Sequence, residues 1–209
     1  MKEIIYKIKF HSEWHAGSGL TSGSDLDALV VKDTDGLPFV PGKTLKGLFQ
    51  EAAFELFGES FKAEYDKLPK GQSDKNTLEH FIPKVFGFFD EKKVKESKLH
   101  VKGTAFFSNA VLSASLQKEA KDCGVVDYFY RDITSTAIRD NGIAEKGSLR
   151  RMQTVIPCEL VATISKVDEK YEADLIKCLK YIKRLGQNRN RGLGRCTLEV
   201  VEPKEEANV

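Results

Sequence analysis

A change of hydrophobic period, repeated along the chain, constrains its fold more than any other feature. Ile4, Tyr6, Ile8 and Phe10 alternate with polar or charged residues, which is the period of a half-buried strand over residues 3 to 11. From Thr44 the period lengthens. Leu45, Leu48, Phe49, Ala52 and Leu56 share one helical face, and Gly58 stands where a glycine stop would end a helix of residues 44 to 57. LHVKGTAFFSNAVLS, from Leu99, returns to strand character, as does TVIPCELVATISKV. Leu175, Cys178, Leu179, Ile182 and Leu185 mark a second helix over residues 169 to 185, with Lys183 and Arg184 in its last turn and Gly186 beyond. CTLEVVEP supplies a final, edge-like strand.

Strand, helix, strand, strand, helix, strand is the split βαβ plan, so the pattern predicts an α+β fold with a ferredoxin-like core. At 209 residues and 41% hydrophobic the chain can bury such a core, and it reads as one domain over residues 1–209. Two insertions are expected, at about 59–97 and 113–148. The first is polar and lysine-rich, with KGQSDKN and DEKKVKESK, and only VFGFF anchors it; it reads as partly mobile. The second holds TSTAIRDNGIAEKGSLRR, whose Asn141-Gly142 pair has the turn chemistry of a projecting hairpin.

A net charge of +2 neither requires nor excludes nucleic acid, so local basic patches decide. Cys123, Cys158, Cys178 and Cys196 form no CxxC pair, and no apolar signal segment opens the chain, which predicts a reduced, cytoplasmic protein without a membrane span. The histidines His11, His15, His80 and His100 are equally scattered and lack zinc-ligand spacing.

Two glycine-rich segments carry the functional signal. In GSGLTSGSDLDALVVKDTDGLPFVPGKTLKG, residues 17–47, the GLPFVPGKT portion approaches a phosphate loop but fails as one. Five residues separate Gly36 from Gly42 where four are needed, and Pro38 and Pro41 supply no amide hydrogen. Free amides at the helix start, with Lys43 and Lys46, still suit a nucleic-acid phosphate; they equally suit a plain turn with solvated lysines. The second segment, LGQNRNRGLGR at 185–195, alternates glycines with Arg189, Arg191 and Arg195, whose planar donors fit an RNA backbone.

The blocks GSG, SDLDALVVKD, GLPFVPGKTLKG, VFGFF, FFSNA and LGQNRNRGLGR together resemble the repeat-associated mysterious protein (RAMP) superfamily of CRISPR systems, and most of all the backbone subunit of type III effector complexes. The resemblance implies an RNA recognition motif-like core that stacks in copies along a guide RNA, beside other effector subunits. It also implies a thumb hairpin, residues 131 to 151, that wedges into the duplex of guide and complementary target RNA. Such subunits cut the target with a loop aspartate and a divalent metal, Mg2+ or another, and Asp27 matches that aspartate by order along the motif. Lys43, Lys46, Arg189, Arg191 and Arg195 would then hold guide phosphates, and Arg131, Arg139, Arg150 and Arg151 would serve the thumb.

The chemistry suits the position. Cutting RNA needs a 2′-hydroxyl or a water aligned with phosphorus, and a carboxylate there holds a metal or takes a proton. Asp25 and Asp27 project to one side of an extended segment and form a candidate metal pair, whereas Asp33 and Asp35 read as turn formers. Phe106 and Phe107 read as core rather than as base-stacking residues. Trp14 and His15, just before the glycine loop, are candidates to line the RNA path, and His15 equally suits a local capping role. Two other functions remain open: a structural RNA-binding subunit that does not cut, and a guide-processing endoribonuclease with His15 as general base.

Overall fold

The computed structural model describes residues 1–20, 26–66, 79–89 and 100–201. Strand β1, Lys2–Phe10, buries Ile4, Tyr6, Ile8 and Phe10 on one face, as its alternation requires. It pairs antiparallel with β7, Glu159–Val167, and with β8, Cys196–Val200, so that Ile8 faces Leu160 on one side and Leu198 on the other. Strand β4, Phe106–Phe107, adds to the far edge of β7, giving the spatial order β4-β7-β1-β8. First and third strands thus lie side by side in the centre, the arrangement of the split βαβ plan.

Helices α1, Gly42–Tyr65, and α4, Glu172–Tyr181, cover the buried face with Leu45, Phe49 and Ala52 from one and Leu175, Cys178 and Leu179 from the other. Phe49 meets Tyr6 at 5.6 Å and Phe107 at 5.4 Å between ring centroids. Burying a phenylalanine of this kind contributes about 2–3 kcal/mol. Gly42 is a packing glycine rather than a phosphate-loop one: a Cβ there would stand 2.1 Å from the Phe107 carbonyl oxygen, and its amide donates to Asn109 Oδ1 at 2.9 Å.

Three boundaries differ from the sequence expectation. Helix α1 runs through Gly58 because Phe57, Phe61 and Tyr65 pack on Phe81 and Phe88, at 5.3, 5.1 and 5.4 Å respectively. Phe81 opens the short helix α2, Phe81–Phe86, and Phe88 lies in strand β2, Gly87–Phe89, which pairs with β3, His100–Lys102. The expected 59–97 insertion therefore begins inside a helix, and its 67–78 and 90–97 stretches lie outside the described residues. Helix α4 is shorter than expected, since Ile182 turns extended (ψ 120°) and leaves Lys183 and Arg184 beyond it.

The third difference is at TVIPCELVATISKV, which divides around Pro157 into β6, Arg150–Val155, and β7. Strand β6 pairs with β5, Tyr130–Ser135, as a hairpin leaving the main sheet, preceded by helix α3, Ala114–Asp122. Gly142 turns the hairpin tip at φ 77°, with Ile138, Ile143 and Leu149 exposed nearby. Its base is stitched to the core. Trp14 and Val155 exchange both backbone bonds, and the Gln153 amide donates to the Ala28 carbonyl. Trp14 itself is fully buried and stacks on Phe10 at 4.5 Å, so it belongs to the core and not to an RNA path. Phe107 is core, but Phe106 is 60% exposed, because neighbours on a strand face opposite ways.

Candidate nucleic-acid interface

The residues 185–195 form the centrepiece of the candidate site, and glycine fixes their shape. Leu185 is fully buried and anchors the loop. Gly194, at φ 68°, crosses so close that a Cβ would lie 1.8 Å from the Leu185 carbonyl oxygen, and Gly186, at φ 97°, would clash with the His15 carbonyl at 2.4 Å. The amides of Gly194 and Gln187 donate to the Glu13 and His15 carbonyls. The loop is thereby pressed onto residues 13–15, and Arg189–Arg191 forms a short 3-10 turn projecting from it.

Asp27 sits where this loop meets the hairpin. Its amide donates to the Arg151 carbonyl at 2.9 Å, and the Arg151 amide returns a bond to Asp27 Oδ2 at 2.8 Å. A cleft of about 430 Å3 opens beside it, lined among others by Arg150, Arg151, Met152, Asn188 and Arg191. Gln187 borders this cleft and also a second one of about 340 Å3, which holds His15, Gly17, Thr44, Glu51 and Arg189. Leu48, Glu51 and Arg189 continue into a third cleft of about 560 Å3, with Tyr181 and Arg184. The three clefts share lining residues in turn, from the hairpin base, over the glycine-arginine loop, along α1.

Charge along the groove is part paired and part free. Glu13 pairs with Arg131 at 3.3 Å, Asp132 with Arg151 at 3.4 Å, Glu51 with Arg189 at 3.2 Å, and Glu145 with Arg139 at 3.8 Å. Arg150, Arg191, Arg195, Lys43 and Lys46 have no ion pair among the described residues. These exposed pairs are each worth under about 1 kcal/mol, so an incoming phosphate can displace the carboxylate. All eight arginines of the chain lie after position 130, in the hairpin or in residues 184–195, and the fold brings those two segments together at Asp27.

The expected residues are gathered unevenly. Asp27, Arg150, Arg151 and Arg191 meet in the first cleft, and His15 and Arg189 in the second. Lys43 and Lys46 line none of the three clefts, since Thr44, Leu48 and Glu51 form the face of α1 that does. Arg195 lies in the bridge to Arg184, and Arg139 stands at the hairpin tip. Asp25 lies outside the described residues. Asp33 is a turn former as expected, its Oδ1 accepting from the amides of Asp35 and Leu37, while Asp35 pairs with Lys121. Sequence reasoning passed over Gln187, Asn188 and Glu51. The first two sit within the singled-out GQNRNRG run, where Asn188 adopts φ 54°, and were detectable as the polar residues between its glycines.

Among the described residues no three His, Cys, Asp or Glu side chains converge as a metal site, and no helix is long and apolar enough to cross a membrane. The four cysteines are free, and burial pushes the Cys158 thiol up to about 11. They are inert at neutral pH where buried.

No curated protein matches the chain. Among solved structures, a chain of the type III-B Cmr-beta complex bound to cognate target RNA superposes with a TM-score of 0.65 at 14% identity, covering 96% of this chain and 97% of that one. The apo state of the same complex gives 0.63 at 14% identity, with 96% and 98% covered. A chain of a type IV-B CRISPR complex gives 0.64 at 14% identity, with 97% and 91% covered. At that identity the structures establish the fold, and the sequence itself matches the family profile over residues 7–197. The chain belongs to the RAMP superfamily.

Proposed function

We propose that this chain is a CRISPR effector subunit that holds guide RNA along the groove and cuts complementary target RNA beside Asp27, working with further copies of itself and other effector subunits. The observation that carries the reading is the convergence of Asp27 with Arg150, Arg151 and Arg191 in one cleft continuous with the α1 groove. Guanidinium groups there would neutralise RNA phosphates, and arginines along the groove would track the backbone of a single strand. The chains it resembles come from CRISPR complexes, one of them bound to cognate target RNA.

In this reading the Arg151 amide holds one Asp27 oxygen, and the other is free of hydrogen bonds among the described residues. That oxygen, in this reading, either takes the proton of an attacking 2′-hydroxyl or water or holds a metal ion, while Arg150 and Arg191 stabilise charge developing on the phosphate as its bond to the leaving oxygen breaks. A single described carboxylate fits Mg2+, which one or two carboxylates hold together with phosphate oxygens and water. Asp27, with Asp25 as the second candidate, would hold the ion, and its charge would polarise the scissile phosphate. The engagement of Asp27 Oδ2 by a backbone amide also supports a second reading, a subunit that binds RNA with Asp27 as a strut for the hairpin.

Charge removal tests the groove. Arg191→Ala should weaken RNA binding and lower the salt slope by about 0.7 for a single strand, read as log affinity against log salt. An unchanged slope would remove the loop from the RNA path.

A further inference from the structure

His15 is fully buried, yet it lines the second cleft beside Gly17, Thr44 and Gln187. Its Nδ1 lies 2.6 Å from the Gln153 carbonyl oxygen. A carbonyl can only accept, so in the neutral ring the hydrogen sits on Nδ1 and Nε2 is a bare acceptor. That Nε2 is buried without a hydrogen-bond partner. The Gln187 side-chain amide borders the same space without bonding it, and a Cβ on Gly17 would stand 3.2 Å from Nε2. The missing side chain of Gly17 and the exposed, movable side chain of Gln187 are what leave an approach to the ring.

A buried acceptor calls for a donor, and this decides what part of an RNA strand fits. Phosphate oxygens carry no hydrogen and do not satisfy a neutral Nε2. The ribose 2′-hydroxyl does, being both donor and acceptor. On the reading that RNA occupies this groove, we infer that His15 Nε2 accepts a hydrogen bond from a ribose 2′-hydroxyl, making the second cleft a sugar-reading site that selects RNA over DNA. The neighbouring arginines hold phosphate on either side, so charge and sugar identity are recognised by separate groups. Gly17 is then a specificity residue, because any side chain there fills the hydroxyl's path.

The test compares oligouridine of about ten nucleotides, all-ribose or all 2′-fluoro, for binding to the full chain. The fluoro sugar keeps the RNA pucker but removes the hydrogen. Wild type should prefer the ribose strand by about three- to tenfold, the worth of one neutral hydrogen bond. Gly17→Ala should bring the two strands within about twofold by losing affinity for ribose, and His15→Phe should do the same. Gly17 does not require a positive φ, and its added Cβ, 2.8 Å from the Gln187 side-chain nitrogen and 3.2 Å from Nε2, displaces the exposed Gln187 side chain and asks the ring to give by only a few tenths of an ångström. Equal binding of both strands by wild type overturns the inference, as does a preference unchanged in Gly17→Ala. Failure of both strands to bind wild type instead removes the groove reading on which it rests.

Discussion

Asp27 and Arg151 exchange both of their backbone-side bonds, the Asp27 amide donating to the Arg151 carbonyl at 2.9 Å and the Arg151 amide to Asp27 Oδ2 at 2.8 Å. The candidate cutting residue is therefore fastened to the base of the hairpin that carries half of the chain's arginines. A carboxylate held this way is positioned by the hairpin base. Hydrogen bonds to a carboxylate are worth about 1.5–3 kcal/mol, enough to hold one rotamer.

The Glu51–Arg189 pair predicts a gain of function by charge removal. Glu51→Gln frees the Arg189 guanidinium, now 3.2 Å from the carboxylate, and removes a negative charge from the groove. RNA affinity should rise by about two- to fivefold at low salt, with the gain shrinking as salt rises. Titration at two ionic strengths checks this; affinity that falls would mean Glu51 helps RNA bind.

Gly58 lies inside α1, and a Cβ there would meet only Phe54 Cδ1 at 3.8 Å, an ordinary contact. Gly58→Ala should therefore stabilise the protein by about 0.5–1 kcal/mol, read as the urea midpoint. A helix that ended at Gly58 would give the opposite sign.

How far the fold was legible follows from cases of this kind. The order of strands and helices could be read because each core element carries its own period, as Ile4, Tyr6, Ile8 and Phe10 do. The end of α1 could not, because what continues it through Gly58 is a set of rings at Phe81 and Phe88, distant in sequence. The arginines of the site were legible from glycine alternation and hairpin position. Glu51 and Gln187 were not, since only tertiary packing places α1 against the loop. His15 was singled out by its place before the glycine loop, but the orientation of its ring depends on a carbonyl 138 positions away.

His80 makes stability depend on pH. Its Nδ1 accepts the Ile82 amide at 3.3 Å, and its Nε2 lies 3.0 Å from Ser60 Oγ, whose own hydrogen goes to the Phe57 carbonyl at 2.8 Å. The Nδ1 contact needs the neutral ring, because a protonated Nδ1 cannot accept the Ile82 amide, whereas Nε2–H donates to Ser60 Oγ in either state. Burial is the main cause that lowers its pKa below the usual 6.5, against the opposing charges of Glu64 and Asp174. The unfolded chain then binds more protons just below pH 6.5, so this contribution is complete above that value and is lost as pH falls through the folded-state pKa. Urea midpoints should drop between about pH 7 and pH 5 in wild type, and drop less in His80→Gln. Equal slopes in the two proteins would remove His80 as the cause.

Target cutting by the assembled complex tests the account most directly. Complementary RNA and Mg2+ are supplied to complexes carrying wild type or Asp27→Asn, whose amide oxygen can still accept the Arg151 bond and keep the hairpin base in place. Wild type is predicted to give regularly spaced products, and Asp27→Asn to lose them by at least about a hundredfold while binding target RNA as before. No products from wild type, or undiminished products from Asp27→Asn, would contradict it.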